Sequence, residues 1–368
     1  MAKIKVLHII KSLGRGGAEM LLPETLKIHN RDNFEFHYIY FLPWKDQMAE
    51  DIRDSGGIVR CFDAKDNIRL ILKYQKIISY CKKHAIDLIH CHLPWAGFVG
   101  RLVHKKTGIP VIYTEHNMQE RYHIATKIIN KYSFNFQSLG LGVSEDVTKS
   151  IKTNINPSIP IKTLLNGVNT RSFKRAGYSN VRRDLGIPQN AIVIGNVAVF
   201  RFQKRLVEWL NVLQEIQLKN PNVYGIIVGA GPLEDEIKAE WKKLGLDKVV
   251  FFTGLQTEVK PYYEAMDIFM MSSSFEGLPI ALLEAMSMEC AVISTNAGGI
   301  KEVIRDGKDG LICPVEDWKE LSSKAQILIN DPEKLKQYRI AARKRVEESF
   351  SMKRMVKELE ECYLEVLK

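Results

Sequence analysis

Short apolar, β-branched runs alternate along the chain with longer amphipathic stretches. In the first half the runs predict strands at 5–10, 36–41, 58–61, 88–91, 111–114, 139–143 and 162–165. In the second half they predict strands at 192–197, 224–228, 249–253, 268–271, 291–294 and 310–313. Helical periodicity fills the intervals, and strands that alternate with helices predict parallel sheets covered by helices, an α/β fold. The periodicity breaks near 170–190, at Asn166-Gly167, Gly177, Asn180 and Pro188. The reading is therefore two domains, 1–176 and 177–350, followed by a final helical segment 351–368. The stretch from Asp331 onward reads as two helices.

A chain of 368 residues, 45% of them hydrophobic, supports two cores. No apolar run reaches the length of a membrane span, and the first ten residues read as a strand rather than a leader. The expectation is a cytoplasmic protein. Six cysteines stand at 61, 81, 91, 290, 313 and 362 without Cys-x-x-Cys spacing, so they are expected to be reduced and mostly buried. The net charge of +10 is unevenly spread: residues 1–176 carry 27 Lys and Arg against 15 Asp and Glu, whereas the remainder is slightly acidic. A basic half suits acidic substrates or an anionic membrane. No nucleic-acid-binding motif accompanies the charge, so no nucleic-acid partner is expected.

In open parallel sheets, ligands lie beyond the carboxyl ends of the strands. Several unusual segments fall there. Glu276 precedes Gly277-Leu278-Pro279, which reads as a loop leading into a helix with Pro279 at its first position, and Glu284 falls about five residues into that helix. A helix N-terminus attracts phosphate, and carboxylates beside it suit sugar hydroxyls, so the pair points to a sugar phosphate or nucleotide sugar. Arg201, Lys204 and Arg205 cluster before another helix. Cations are disfavoured at a helix N-terminus, so an intervening diphosphate would explain them, as would a solvated charge cluster. Gly14-Arg15-Gly16-Gly17 joins the first strand to a helix and fits either a tight turn or a phosphate contact. It is a poor dinucleotide fingerprint. His116 follows a strand and is either structural or functional. His90 and His92 share one face of a strand. Zinc there would need a third ligand, which the sequence does not present, and no metal is expected.

The ensemble of Gly229-Ala230-Gly231-Pro232, Phe252-Thr253-Gly254, Ala265-Met266-Asp267, Ser272 through Pro279, Leu283-Glu284-Ala285-Met286, Ala297-Gly298-Gly299 and Glu302-Val303-Ile304 resembles the family 4 glycosyltransferases. The first half joins it through Gly16-Gly17-Ala18-Glu19, Val143-Ser144-Glu145 and Asn166-Gly167-Val168-Asn169. The resemblance implies a GT-B fold, two Rossmann-like domains with parallel sheets facing a central cleft. It implies an acceptor-binding first domain, a donor-binding second domain and a final helix crossing back to the first. It further implies a retaining glycosyltransferase that uses a nucleoside-diphosphate sugar, with UDP preferred by family frequency. By the same resemblance Glu284 would bind the ribose and Glu276 the transferred sugar. Gly277 and Leu278, before Pro279, would present N–H groups near sugar and phosphate. Lys204, with Arg201 or Arg205, would hold the diphosphate, and Gly16, Gly17 and Gly231 would lie at the donor. His116 would sit near the donor sugar and the acceptor hydroxyl, so that Glu276, His116 and Lys204 form the catalytic set. Where many members place an Arg upstream of Lys204, this chain has Val199.

No Asp-x-Asp motif is present, so transfer is expected to need no metal or other cofactor, with fixed cations and dipoles neutralising the leaving phosphate. The expected acceptor is a glycan or lipid-linked hydroxyl in cell-surface polysaccharide or glycoconjugate synthesis. The alternatives are a nucleotide-sugar epimerase of the same fold, a non-catalytic nucleotide-sugar-binding protein and, third, a nicotinamide oxidoreductase. The basic first half suggests peripheral contact with the cytoplasmic face of an anionic membrane. The segment 69–83 is a candidate for that contact, or a plain surface helix.

Overall fold

The computed structural model describes residues 2–368, which fold as two compact units. The first comprises residues up to Asn166 together with Met352–Lys368, and the second is Gly167–Ser351. The first sheet contains β1 (Ile4–Ile10), β2 (Phe34–Tyr40), β3 (Ile58–Cys61), β4 (Leu88–His92), β5 (Val111–Glu115), β6 (Leu139–Gly142) and β7 (Ile161–Thr163). The second contains β8 (Ile192–Val197), β9 (Val223–Val228), β10 (Val250–Gly254), β11 (Ile268–Met271), β12 (Ala291–Thr295) and β13 (Leu311–Cys313). Each predicted strand is present, with its ends moved by no more than about two residues. All pairings within both sheets are parallel.

The strand orders are β3-β2-β1-β4-β5-β6-β7 and β10-β9-β8-β11-β12-β13. In each sheet the chain winds outward in one direction and then restarts beside its first strand. The order thus reverses between β1 and β4 in the first unit, and between β8 and β11 in the second. Loops leaving the two strands at such a point diverge and open a crevice, the usual ligand position in this architecture.

Helix Leu206–Lys219 follows β8 and buries Leu206, Trp209, Leu210, Leu213 and Ile216, the spacing of one helical face. Burying each aliphatic side chain contributes roughly 1.5–3 kcal/mol. Two buried side chains fix the end of β11. Trp209 Nε1 and Asn196 Nδ2 both donate to the Met270 carbonyl, at 2.9 and 2.7 Å. The loop that carries Glu276 therefore leaves from an anchored strand end.

The chain crosses between units at Asn166–Gly167, ten residues before the expected boundary at 176. The intervening residues bond to the second unit. Val168 N donates to Phe350 O at 2.9 Å. The Arg175 guanidinium donates to the carbonyls of Glu264, Met266 and Met288. Of the breaks in periodicity, Asn166-Gly167 marks the crossing, whereas Gly177, Asn180 and Pro188 lie beyond it and pull the expected boundary later. The tail forms the two expected helices, Pro332–Ser349 in the second unit and Met352–Val366 in the first. All six cysteines are free thiols, and all but Cys61 are buried. No helix among the described residues is long and apolar enough to cross a membrane.

Candidate active site

In the second unit, the residues at the reversal point come from the loops after β8, β11 and β12. The loop after β8 ends in a tight turn, Phe202–Lys204, with Arg205 in the left-handed conformation at φ 47°. The loop after β11 is sewn to it. Ser272 Oγ donates to the carbonyls of Lys204 and Arg205, at 3.0 and 2.8 Å, and Ser274 N donates to Gln203 O at 2.8 Å. On its other side, Thr295 Oγ1 donates to Ser273 O at 2.6 Å and Gly299 N donates to Gly277 O at 2.9 Å. Backbone and hydroxyl contacts thus hold the 272–279 segment before any ligand is considered.

This sewing brings Lys204 and Glu276 together. Lys204 Nζ donates to Glu276 Oε1 at 2.5 Å, and Ser273 Oγ donates to the same oxygen at 2.7 Å. The pair is mostly enclosed, with side-chain exposures of 19% and 10%. A lysine and a glutamate in contact at a sheet's crevice place a cation and a hydroxyl acceptor within one small volume. Phe202 and Phe275 meet at its edge, their rings tilted to each other with centroids 5.7 Å apart.

Helix Ile280–Ser287 follows. Pro279 occupies the position before the helix, with ψ 120°, and Ile280 is the first helical residue. The expectation of Pro279 as first helical residue is corrected by one place. Its extended ψ is what lets the 272–279 loop turn into the helix. From Leu282 to Ser287 every residue is buried, and Glu284 is the only carboxylate among them. Tyr263 OH donates to Glu284 Oε2 at 2.8 Å. Charged groups are rarely buried without such a partner, and Glu284 lies five residues along the helix, as its spacing predicted.

The remaining cations diverge. Arg205 Nη1 donates to Val315 O at 2.7 Å, whereas Arg201 is exposed. The cluster read from the sequence thus resolves into one lysine beside Glu276, one arginine bonded to a neighbouring loop and one at the surface. Gly231 is where a side chain cannot fit. A Cβ there would lie 2.5 Å from Phe200 N, because the 229–233 turn is zipped to the loop after β8. Gly298 has φ +56°, and a Cβ on it would lie 2.0 Å from Glu276 O. Gly298→Ala is expected to cost about 2–3 kcal/mol in denaturant unfolding, from left-handed strain plus a backbone clash. It should also displace Glu276, so unchanged stability and unchanged donor affinity together would refute the packing argument.

In the first unit, the glycine loop after β1 runs into helix Gly17–Leu26, with Gly16 at its N-cap. Beside it, His8 on β1 pairs in register with His90 on β4, and Ile10 with His92. This register puts three imidazoles on one face. His8 Nδ1 and His92 Nε2 are 3.0 Å apart, His90 bonds Tyr363 OH at 2.8 Å and Thr114 Oγ1 at 2.7 Å, and the His90 and His92 ring centroids are 4.2 Å apart. The third imidazole that the sequence did not present is His8, and the three have the geometry to hold a metal ion. Their nitrogens bond His8 to His92, and His90 to the hydroxyls of Tyr363 and Thr114. Burial pushes His90 down to about 3 and holds His8 and His92 well below the ordinary imidazole value.

His116 follows β5. Its Nε2 is enclosed without a hydrogen-bond partner, as is Nδ1 of His92. Both residues line a small cavity of about 30 Å³, along with Ala18, Leu21, His8 and His90. The cavity thus brings His116 beside the first turn of the glycine-loop helix. Burial lowers the His116 pKa to about 4, so its imidazole is neutral at pH 7. Sequence reading passed over its neighbour Glu115. This buried carboxylate accepts from Tyr113 OH at 2.7 Å, Gln119 Nε2 at 2.6 Å, Tyr122 OH, and the backbone N–H groups of His116 and Asn117 at 3.0 and 3.2 Å. It thereby fixes the turn that aims His116. Burial raises its pKa while these donors pull it back. The signal available in sequence was an acidic residue ending an otherwise apolar strand.

Residues 178–345 match the model of the glycosyl transferases group 1, and residues 15–172 that of Glycosyltransferase Family 4. Among curated relatives, a capsular polysaccharide biosynthesis glycosyltransferase of Staphylococcus aureus is 27% identical over 349 residues, covering 89% of this chain and 94% of its own. The N-acetyl-alpha-D-glucosaminyl L-malate synthase of Bacillus anthracis is 24% identical over 300 residues, 80% of this chain and 78% of that protein. Among solved structures, Anabaena HepE in complex with UDP-glucose superposes with a TM-score of 0.88 at 21% identity, covering 98% of this chain and all of that one. That likeness shows the fold, GT-B, with its two Rossmann-like halves. Two sheets that each reverse at their first strand, a fixed Lys204–Glu276 pair and family models that together span most of the sequence lead to one assignment: the chain belongs to the family 4 glycosyltransferases and is a glycosyltransferase.

Proposed function

We propose that this enzyme transfers a sugar, with retention of configuration, from a UDP-sugar to a hydroxyl of a glycan or lipid-linked acceptor in cell-surface polysaccharide synthesis. The observation that carries the reading is the Lys204–Glu276 contact at the reversal point of the second sheet, one helix away from the buried Glu284. Glu284 accepts hydrogen bonds from the ribose hydroxyls, Glu276 orients the transferred sugar, and Lys204 binds the diphosphate. Gly277 and Leu278, ahead of Pro279, offer N–H groups to the sugar and phosphate, and Gly231, Gly16 and Gly17 let the protein backbone come close to the donor. Arg201 is the better placed second cation, since Arg205 is engaged by Val315. In the step itself the bond from the anomeric carbon to the phosphate oxygen breaks and a bond to the acceptor oxygen forms on the same face. The departing phosphate takes the acceptor's proton. Lys204 neutralises the charge growing on that phosphate, a preorganised term that needs no metal. His116, neutral at pH 7, contributes a hydrogen bond near the sugar and acceptor hydroxyl rather than a charge.

The donor reading is supported by solved relatives described as holding UDP or UDP-glucose. The acceptor reading is supported by a relative named as a galactosyltransferase acting on a diphosphoundecaprenol-linked sugar. A peripheral contact of the basic first unit with anionic membrane would suit such an acceptor. The test is incubation with a panel of UDP-, GDP- and ADP-sugars, with mass detection. Slow release of UDP, stimulated by a glycan or lipid-linked acceptor, is expected. Conversion of the donor without acceptor would indicate an epimerase, and binding without release a non-catalytic protein.

Glu284→Ala should weaken UDP binding about 10- to 100-fold by calorimetry, the loss of hydrogen bonds to a charged acceptor. It also strips the buried Tyr263 hydroxyl of its partner. Glu284→Gln keeps an acceptor for Tyr263, so a similar affinity loss in that variant separates ribose binding from folding. Unchanged affinity in both variants would refute the ribose assignment.

A further inference from the structure

Helix Ile124–Ser133 in the first unit is turned inside out. A surface helix ordinarily buries its apolar stripe and shows polar residues to water. Here the buried positions are Thr126 and Asn130. Asn130 accepts from Arg101 Nη1 at 2.7 Å and donates to Gln119 at 2.8 Å, and Ser133 accepts from the same arginine nitrogen at 2.8 Å. Arg101 is fully buried between Tyr113 and Phe134, so a polar network holds the helix down. The apolar residues face outward. Ile124 is 67% exposed, Ile128 51% and Tyr132 78%, a row at spacing four; Ile129 flanks it and Phe136 lies just beyond.

Cations accompany this row along the chain. Arg121, Lys127 and Lys131 come from the segment itself, and Lys105 and Lys106 from the end of helix Leu93–Thr107. Lys105 Nζ lies 5.0 Å from the Phe136 ring. No Asp or Glu occurs between Arg121 and Ser144. In the other candidate segment, 69–83, Leu72 is 63% exposed, but helix Tyr74–His84, which makes up most of it, buries Ile77, Tyr80 and Cys81.

We infer that the exposed face of Ile124–Phe136 is the surface by which this protein lies on an anionic lipid bilayer. Isoleucine and aromatic side chains enter the boundary between headgroups and acyl chains, while the lysines meet the lipid phosphates. A charged protein partner would leave the isoleucines without a matching environment, and a neutral apolar partner would leave the lysines without one. This deepens the membrane contact proposed above. Binding is measured without sugar transfer, so each proposal can fail alone.

The experiment is vesicle flotation of the full chain with phosphatidylglycerol–phosphatidylcholine vesicles and with pure phosphatidylcholine, at low and high salt. The wild type should float with the anionic vesicles at low salt, and at least about tenfold more weakly with neutral ones, since each lysine near an anionic surface contributes separately. The triple variant Ile124→Ser, Ile128→Ser, Tyr132→Ser should lose flotation while keeping its melting temperature and donor hydrolysis. A second variant, Lys127→Glu with Lys131→Glu, should lose it while keeping the apolar row. The proposal is overturned if the wild type does not float, or if both variants float like the wild type. It is equally overturned if sedimentation shows a wild-type dimer that the serine variant dissociates, since the face would then be a subunit interface.

Discussion

Lys204→Ala is expected to lower kcat by about 10²–10³, the usual cost of removing one preorganised group that stabilises growing charge. The lysine is held for this task from two sides. Its backbone carbonyl accepts from Ser272, and its ammonium is fixed against Glu276. Removing it also leaves Glu276 with Ser273 as its remaining named donor, so a stability loss of about 1–3 kcal/mol is expected, between the values for exposed and buried pairs. The two effects separate if turnover is measured well below the melting temperature of the variant. Glu276→Gln sharpens the result. It keeps an acceptor for Ser273 and Lys204 while removing a negative charge that partly offsets the cation. If Lys204 acts on the donor phosphate and not only on Glu276, Lys204→Ala remains severe in the Glu276→Gln background. Turnover unchanged by Lys204→Ala would sink the phosphate assignment.

Acid should unfold the first unit through its histidines. His90 and His116 have pKa values lowered by burial to about 3 and about 4, against 6.5 when free. Below pH 6.5 the unfolded chain takes up protons at these sites while the folded chain does not, so stability rises with pH in this range and falls as acid is added. The contribution is fully present above 6.5 and is lost progressively down to about 4 for His116 and about 3 for His90. Each site contributes about 1.4 kcal/mol per pH unit, giving about 2–3 kcal/mol per unit near pH 5.5 from the two together. His8 and His92, also lowered, add in the same direction. Glu115, whose pKa is raised, works the other way over the range just above the ordinary carboxylate value. Urea unfolding at pH 7, 6 and 5 would read the slope above the range where most carboxylates titrate. His90→Gln, which retains hydrogen-bonding capacity toward Tyr363 and Thr114, should flatten it. A flat profile for the wild type would show that these imidazoles are charged in the fold.

The strands were legible because parallel strands buried on both faces must be continuously apolar, and thirteen such runs stand out from amphipathic helices. Lys204, Glu276 and Glu284 were legible as candidates for a related reason, since charged residues next to apolar strand ends and helices demand an explanation. Their relations were less so. That Arg205 turns to Val315 depends on a left-handed residue at position 205, which no local pattern announces. His8 joins His90 only because β1 and β4 pair across some eighty residues of chain, a register that sequence reading does not supply. Glu115 was hidden by its rank as one residue of a strand. The inverted helix at 124–133 has ordinary amphipathic spacing, and only the buried Arg101 network decides which face turns inward.

The first unit is completed by residues that come after the second in the chain. Tyr363 supplies the hydroxyl to His90, Glu360 bonds His29 and the backbone of Asn30, and Arg354 reaches the Leu165 carbonyl. During synthesis, therefore, the second unit emerges as an uninterrupted segment and can close on itself. The first must wait with its histidine face unsealed until the last helix leaves the ribosome. The finishing order of the two halves is the reverse of their starting order, and a chain cut short just after Ser351 holds a whole second unit and an incomplete first.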